Sequence, residues 1–194
     1  EKVEAISSEI VGYEINISCP NVKKGGMEFG VDPDMTANLT SELRKRTDRL
    51  LIMKLSPNVS DIISIGLRAQ EEGADAVSAI NTVVGMSINS NNGKSNIYTT
   101  YGGLSGPAIK PIGLAAVHKL FQKLSVPIVG IGGIVSSVDV AEYILAGSAA
   151  VQVGTANYRN PGIGEDMTDS LNKWIEQSKW NSVADMIGKV SIYN

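Results

Sequence analysis

Asn16, Cys19 and Asn21 fall within six residues and set the one cysteine of the chain between two carboxamides. The apolar run Tyr13 to Ile17 reads as a short strand and Pro20 ends it, so all three side chains are expected on one rim, where strand becomes loop. A lone cysteine most often serves as a small buried apolar group. At such an exit, however, a thiol is placed for proton transfer, and its neighbours decide between the two roles. Those neighbours recur at matching positions along the chain. Lys54 lies in a second apolar run, Asn81 follows a third, Gly132-Gly133 a fourth and Gly154-Thr155 a fifth.

Two of these positions suggest an anion. Gly130-Ile131-Gly132-Gly133 leads into a helix expected to start near Ser136, and Gly154-Thr155-Ala156 follows the next strand. Small residues there let backbone N–H groups approach a phosphate closely. Val135 stands where a dinucleotide fingerprint requires its last glycine, so the pattern favours a mononucleotide. Lys54, flanked by Leu51, Ile52, Met53 and Leu55, is expected either to snorkel to water or to offer a fixed positive charge to the ligand pocket.

The elements that carry these residues alternate regularly. Strands are expected over Tyr13 to Ile17, Leu50 to Leu55, Ala76 to Ile80, Pro127 to Ile131 and Ala149 to Val153. Helices are expected over Pro33 to Thr47, Val59 to Glu72, Pro111 to Leu124, Ser137 to Leu145 and Gly164 to Ser178. Their boundary signals are Asp32 before Pro33, Asn58 followed by Asp61, Pro111 in a first turn, and Gly73 and Gly147 after last turns. This is the βαβ pattern of a parallel sheet. Five units contributing to one rim favour a barrel over an open sheet, whose sites gather at a switch point. The connection from Asn81 to Lys110 is far longer than the usual handful of residues and contains the turn signal Asn91-Asn92-Gly93, so it reads as a hairpin flap beside the site. Val3, Ile6 and Ile10 predict an opening helix that Gly12 stops, which sets the start of the chain midway through a βα repeat.

Composition narrows the function classes. The 194 residues are 43% hydrophobic with 20 glycines, which suits one α/β domain over residues 1–194. A formal charge of −3 leaves no basic surplus for nucleic acid. No apolar run approaches the roughly 20 residues of a membrane helix, and no signal-peptide pattern opens the chain. One cysteine excludes an internal disulfide, consistent with a cytoplasmic setting, and with the one histidine it cannot build an iron–sulfur or structural zinc site.

The phrases INISCPN, KLSPN, SAINT, GGLSGPAIKP, GIGGI and VQVGTA, in this order and spacing, resemble the FMN-dependent dihydroorotate dehydrogenases of class 1, most closely the NAD-linked class 1B catalytic subunit. TTYGGLSG also resembles the pyrimidine-reducing domain of dihydropyrimidine dehydrogenases. The resemblance implies a (β/α)8 TIM barrel, to which this chain contributes about five C-terminal βα units. The N-terminal strands, with a substrate-binding lysine and an asparagine-containing loop, are expected to lie outside it. It further implies Cys19 as the general base that takes the C5 proton of dihydroorotate while hydride leaves C6 for the flavin. Asn16, Asn21, Asn81 and Thr82 would bind the pyrimidine, with Asn16 also against the cofactor. Lys54 would neutralise the reduced flavin, Ile80 and Gly106 would line the FMN, and Gly132, Gly133, Gly154 and Thr155 would hold its phosphate. The family further implies a homodimer and a partner subunit carrying FAD and an iron–sulfur cluster. Reduction of uracil or thymine, and a catalytically incomplete flavin-binding fragment, are the alternatives.

Overall fold

A computed structural model describes residues 9–18 and 29–193. In chain order the elements are β1 (Gly12–Asn16), α1 (Pro33–Arg44), β2 (Leu50–Leu55), α2 (Ile62–Glu71) and β3 (Ala76–Ala79). A flap follows, built from β4 (Val83–Met86), β5 (Ile88–Asn89), β6 (Lys94–Ser95) and β7 (Tyr101–Leu104). The chain then runs through α3 (Lys110–Phe121), β8 (Ile128–Ile131), α4 (Ser137–Ala146), β9 (Ala150–Gln152), α5 (Ile163–Glu176) and α6 (Val183–Met186). The expected strands and helices all appear, with ends shifted by up to three residues. The short α6 was not anticipated, and the expected opening helix falls on residues outside the described ones.

Local chemistry sets the ends of these helices. Asp32 accepts from the Met35 amide at 2.8 Å and Pro33 opens α1. Asp61, rather than Asn58, caps α2 by accepting from the Ile63 and Ser64 amides at 3.0 and 3.3 Å. The flap closes as two antiparallel ladders, β4 on β7 and β5 on β6, turned through Asn91-Asn92-Gly93.

The main sheet has the order β1-β2-β3-β8-β9, and every pair is parallel. Each new strand joins the same side without reversal, as barrel winding requires and a doubly wound sheet forbids. The sheet is also strongly curled. Four strand spacings of about 4.8 Å would hold β1 and β9 roughly 19 Å apart in a flat sheet. Yet Gln152 on β9 donates a hydrogen bond to Glu14 on β1. The described sheet is therefore an arc of a β/α barrel whose outer strands meet across its hollow.

Register divides the side chains cleanly. Leu51, Met53, Leu55, Val77, Ala79 and Ile128 point to the convex face and are buried against the helices, where they meet Ile65, Ala69, Val117, Leu120 and Tyr143. Burying each of the larger apolar side chains is worth about 1.5–3 kcal/mol, so stability resides in this layer. The alternate positions Glu14, Asn16, Lys54, Ser78 and Gln152 face the hollow. The concave face mixes these polar groups with Ile52, Val129 and Ile131, and it carries the site.

Candidate functional site

A cavity of about 330 Å³ opens at the carboxyl ends of β2, β3, β8 and β9. Its walls include Lys54, Ile80, Asn81, Thr82, Gly106, Gly132, Gly133, Gly154 and Thr155, so nine of the residues singled out from sequence meet in one space. Asn16 joins them through Asn81, as described below, and Cys19 and Asn21 lie outside the described residues. Ile109, Ile131 and Ile134 make much of the wall apolar, which suits a flat ring system rather than a highly charged ligand.

At the β1 and β3 end the carboxamides form a linked set. Asn81 Nδ2 donates to Asn16 Oδ1 at 2.9 Å and to Ser18 Oγ at 2.7 Å, and Asn81 Oδ1 accepts from the Thr82 amide at 2.8 Å. The backbone at this exit is itself fixed, since Ile80 N donates to Ile131 O and Asn81 N to Leu55 O, both at 2.9 Å. The Ala79–Ile80 peptide is cis. Among the described residues no hydrogen bond occupies Asn16 Nδ2, and one lone pair of Asn81 Oδ1 is unused, which leaves both a donor and an acceptor for a ligand edge. Ser18, which precedes Cys19 in sequence, is buried and belongs to this set.

Lys54 enters the hollow as half of an ion pair. Its Nζ lies 3.0 Å from Glu14 Oε1, with the two side chains 23% and 24% exposed, and Gln152 binds the other oxygen of the same carboxylate. The sequence reading did not single out Glu14 or Gln152. Strand alternation points to both, because each stands two residues before a site residue, Asn16 and Gly154 respectively.

The opposite end is made of glycine-rich backbone. Gly132 has φ +126° and Gly133 φ +71°, conformations that suit glycine, and a Cβ on Gly133 would lie 2.8 Å from both Gly106 O and Lys110 N. That contact brings the return of the flap, at Gly106, against the glycine loop. At Gly154 a Cβ would meet nothing within 4 Å, so the space before it is open. Thr155 Oγ1 donates to Ser105 Oγ at 2.8 Å and joins the β9 loop to the flap.

Two buried groups hold this loop. The Tyr143 hydroxyl donates to Gly132 O at 2.7 Å, and burial pushes its pKa up, so it stays a donor at any ordinary pH. Asp139 accepts from Val135 N at 3.0 Å, Ser136 N at 2.9 Å, Ser136 Oγ at 2.9 Å and Lys110 Nζ at 2.6 Å, and Glu142 also pairs with Lys110. Burial alone would raise the Asp139 pKa, but Lys110, the Val135 amide and Ser136 outweigh it and hold the carboxyl below its ordinary value. Asp139 takes the amides of Val135 and Ser136, so they are not open to the cavity, whose wall here is formed by Gly132-Gly133 and Gly154-Thr155. Asn58, expected to open α2, instead ties the root of the flap: its side chain donates to Thr82 O and accepts from Val84 N, each at 2.9 Å.

The family model for dihydroorotate dehydrogenase matches residues 1–175. The chain belongs to the dihydroorotate dehydrogenase family. It is 44% identical over 186 residues to the dihydroorotate dehydrogenase B (NAD(+)) catalytic subunit of Oceanobacillus iheyensis, covering 96% of this chain and 61% of that protein. It is 43% identical over 180 residues to the subunit of the same name from Pelobacter propionicus, covering 93% and 59%. Among solved structures, the dihydroorotate dehydrogenase of Eimeria tenella, crystallised with ferulenol, superposes with a TM-score of 0.75 at 27% identity over 92% of this chain and 54% of that one. The chain thus spans about 60% of the length of the curated relatives it matches.

Three observations fit this cavity to a flavin mononucleotide. The cavity has an apolar middle for a planar ring and a glycine end whose open space and positive φ angles admit a phosphate. Lys54 adds a cation to the same lining. Among the described residues no cluster of His, Cys, Asp and Glu could hold a metal ion, and no helix is long and apolar enough to cross a membrane.

Proposed function

We propose that this chain supplies most of a catalytic barrel that oxidises dihydroorotate to orotate in de novo pyrimidine biosynthesis, with FMN as cofactor. The observation that carries the reading is the meeting of Lys54, Asn81, the glycine pairs and Thr155 around one cavity at the carboxyl ends of the strands, in a chain of this family.

The reaction removes a proton from C5 and a hydride from C6 and leaves a C5=C6 double bond. Bound FMN supplies the hydride acceptor. Cys19 takes the C5 proton, a task for which its loop must favour the thiolate over a free thiol of pKa about 8.5. Asn16, Asn21, Asn81 and Thr82 bind the pyrimidine, whose carbonyl and N–H groups match carboxamides that both donate and accept. Lys54 would offer a cation to electron density added to the cofactor, and its contact with Glu14, itself held by Gln152, supports a fixed direction. Ile80 and Gly106 line the ring, and Gly132, Gly133, Gly154 and Thr155 hold the phosphate.

The names of the relatives, with NAD(+) and a catalytic subunit in them, support electron transfer to NAD through a separate subunit. With one cysteine, this chain cannot hold a four-thiolate cluster, so FAD and an iron–sulfur centre are assigned to that partner. The reading includes a homodimer in the cytoplasm. Titrating the FMN-loaded protein with orotate and with uracil, while following flavin absorbance, tests the substrate. Orotate should perturb the spectrum at lower concentration, and a preference for uracil would replace the proposed reaction with uracil or thymine reduction. A protein that takes up no FMN would overturn the flavin reading itself.

A further inference from the structure

Two cationic side chains line the cavity, and they differ in how their charge is met. Lys54 is paired with Glu14 at 3.0 Å. Arg159, exposed at the glycine end, has no ion pair among the described residues. Asp166, seven residues on, is engaged by Asn160 Nδ2 at 2.9 Å instead. The third cation near this loop, Lys110, is held by Asp139 and Glu142 at 2.6 and 2.8 Å. Among the described residues, the cavity's cation without an ion pair is therefore the one that shares its lining with Gly154 and Thr155.

The backbone fixes that position. Residues 155–158 form a single 3-10 turn in which Asn157 N donates to Gly154 O at 3.0 Å and Arg159 N to Ala156 O at 3.1 Å. Asn157 Nδ2 returns to Val153 O, and Thr155 is tied to Ser105. Arg159 thus leaves the same short turn that presents Gly154 and Thr155 to the cavity. A phosphate monoester carries close to two negative charges at neutral pH, while the glycine end offers neutral amides and those of Val135 and Ser136 are taken by Asp139. A guanidinium is always charged and presents a fork that matches phosphate oxygens two at a time.

We infer that Arg159 is the counter-ion of the phosphate end of the site, so that this protein selects a phosphorylated flavin over an unphosphorylated one. The inference rests on the flavin reading and adds to it a charged group that the glycine motifs do not predict. It is tested by measuring FMN and riboflavin affinity, through quenching of flavin fluorescence, on the purified full chain and on Arg159→Met and Arg159→Lys. Losing a bidentate charge-assisted contact should weaken FMN binding about 10- to 100-fold in Arg159→Met and leave riboflavin binding unchanged. Arg159→Lys should recover part of the loss, and the salt dependence of FMN affinity should be shallower in Arg159→Met. Equal effects on both flavins, or none on either, would overturn the role of Arg159 while leaving the flavin reading intact. Wild-type protein that binds neither flavin would overturn both.

Discussion

Replacing Asp139 by asparagine removes the charge that holds the glycine loop to α3. The wild-type carboxylate, with a side chain 8% exposed, satisfies the Val135 and Ser136 amides, the Ser136 hydroxyl and the Lys110 ammonium. Asparagine keeps one acceptor and turns an NH2 toward either the amides or the ammonium, so at least one charge-assisted hydrogen bond is lost and one donor faces another. A lost bond of that kind costs about 1.5–3 kcal/mol, and a buried donor without a partner about 1–3 kcal/mol. Lys110 retains Glu142 at 2.8 Å, which limits the damage. We expect a loss of about 2–4 kcal/mol in urea unfolding at pH 7, a large share of the 5–15 kcal/mol of an ordinary domain. In a chain of this size that lowers the melting temperature by roughly 4–16 °C. The folded carboxyl has a pKa below the ordinary 3.8, so the unfolded state binds the proton more readily. The Asp139 contribution is therefore complete above about pH 4 and disappears as pH falls through the lowered value. The gap between wild type and Asp139→Asn should accordingly close on acidification. A gap below about 1 kcal/mol at pH 7, or one that stays constant down to pH 2, would refute the reasoning.

Three further outcomes are expected. Tyr143→Phe deprives Gly132 O of its 2.7 Å donor and should cost about 1–2 kcal/mol, a melting shift of roughly 2–8 °C; an unchanged melting temperature would show that the carbonyl finds another donor. Glu14→Gln should destabilise by about 1 kcal/mol, since the pair is only partly exposed, and that effect should vanish in a Lys54→Met background; additive losses in the double-mutant cycle would mean that the two side chains do not interact. Cys19→Ser should retain flavin yet be reduced by dihydroorotate far more slowly at neutral pH, because a hydroxyl is a much poorer base; wild-type reduction rates in stopped-flow would remove Cys19 from the proton transfer.

The sheet was legible from sequence because its strands are short apolar runs bounded by glycine and proline, and β2 was expected over the residues it occupies. Motif position also found the cavity walls, since the strand ends that converge in a barrel are where Lys54, Asn81, Gly132 and Gly154 stand. Interactions that depend on curvature were not readable. The Glu14 contact to Gln152 joins residues 138 apart in sequence and exists only because the sheet curls. Asn58 misled for a simpler reason: it has the chemistry of a helix cap, but Asp61 is nearer the free amides and Asn58 is within reach of the flap. The role of Asp139 was hidden because a carboxylate in the first turn of a helix is common, and only the fold shows that it takes the Val135 and Ser136 amides and pairs with Lys110.

The alternation along β1, β2 and β9 also bears on how such a protein can diversify. Glu14, Asn16, Lys54 and Gln152 look inward, whereas Leu51, Met53 and Leu55 look toward the helices. Odd and even neighbours on one strand thus answer to separate selective pressures. A combinatorial library confined to the inward set explores ligand preference while sparing the apolar layer that keeps the chain folded, and adaptation to heat can proceed at the intervening positions without retuning the chemistry.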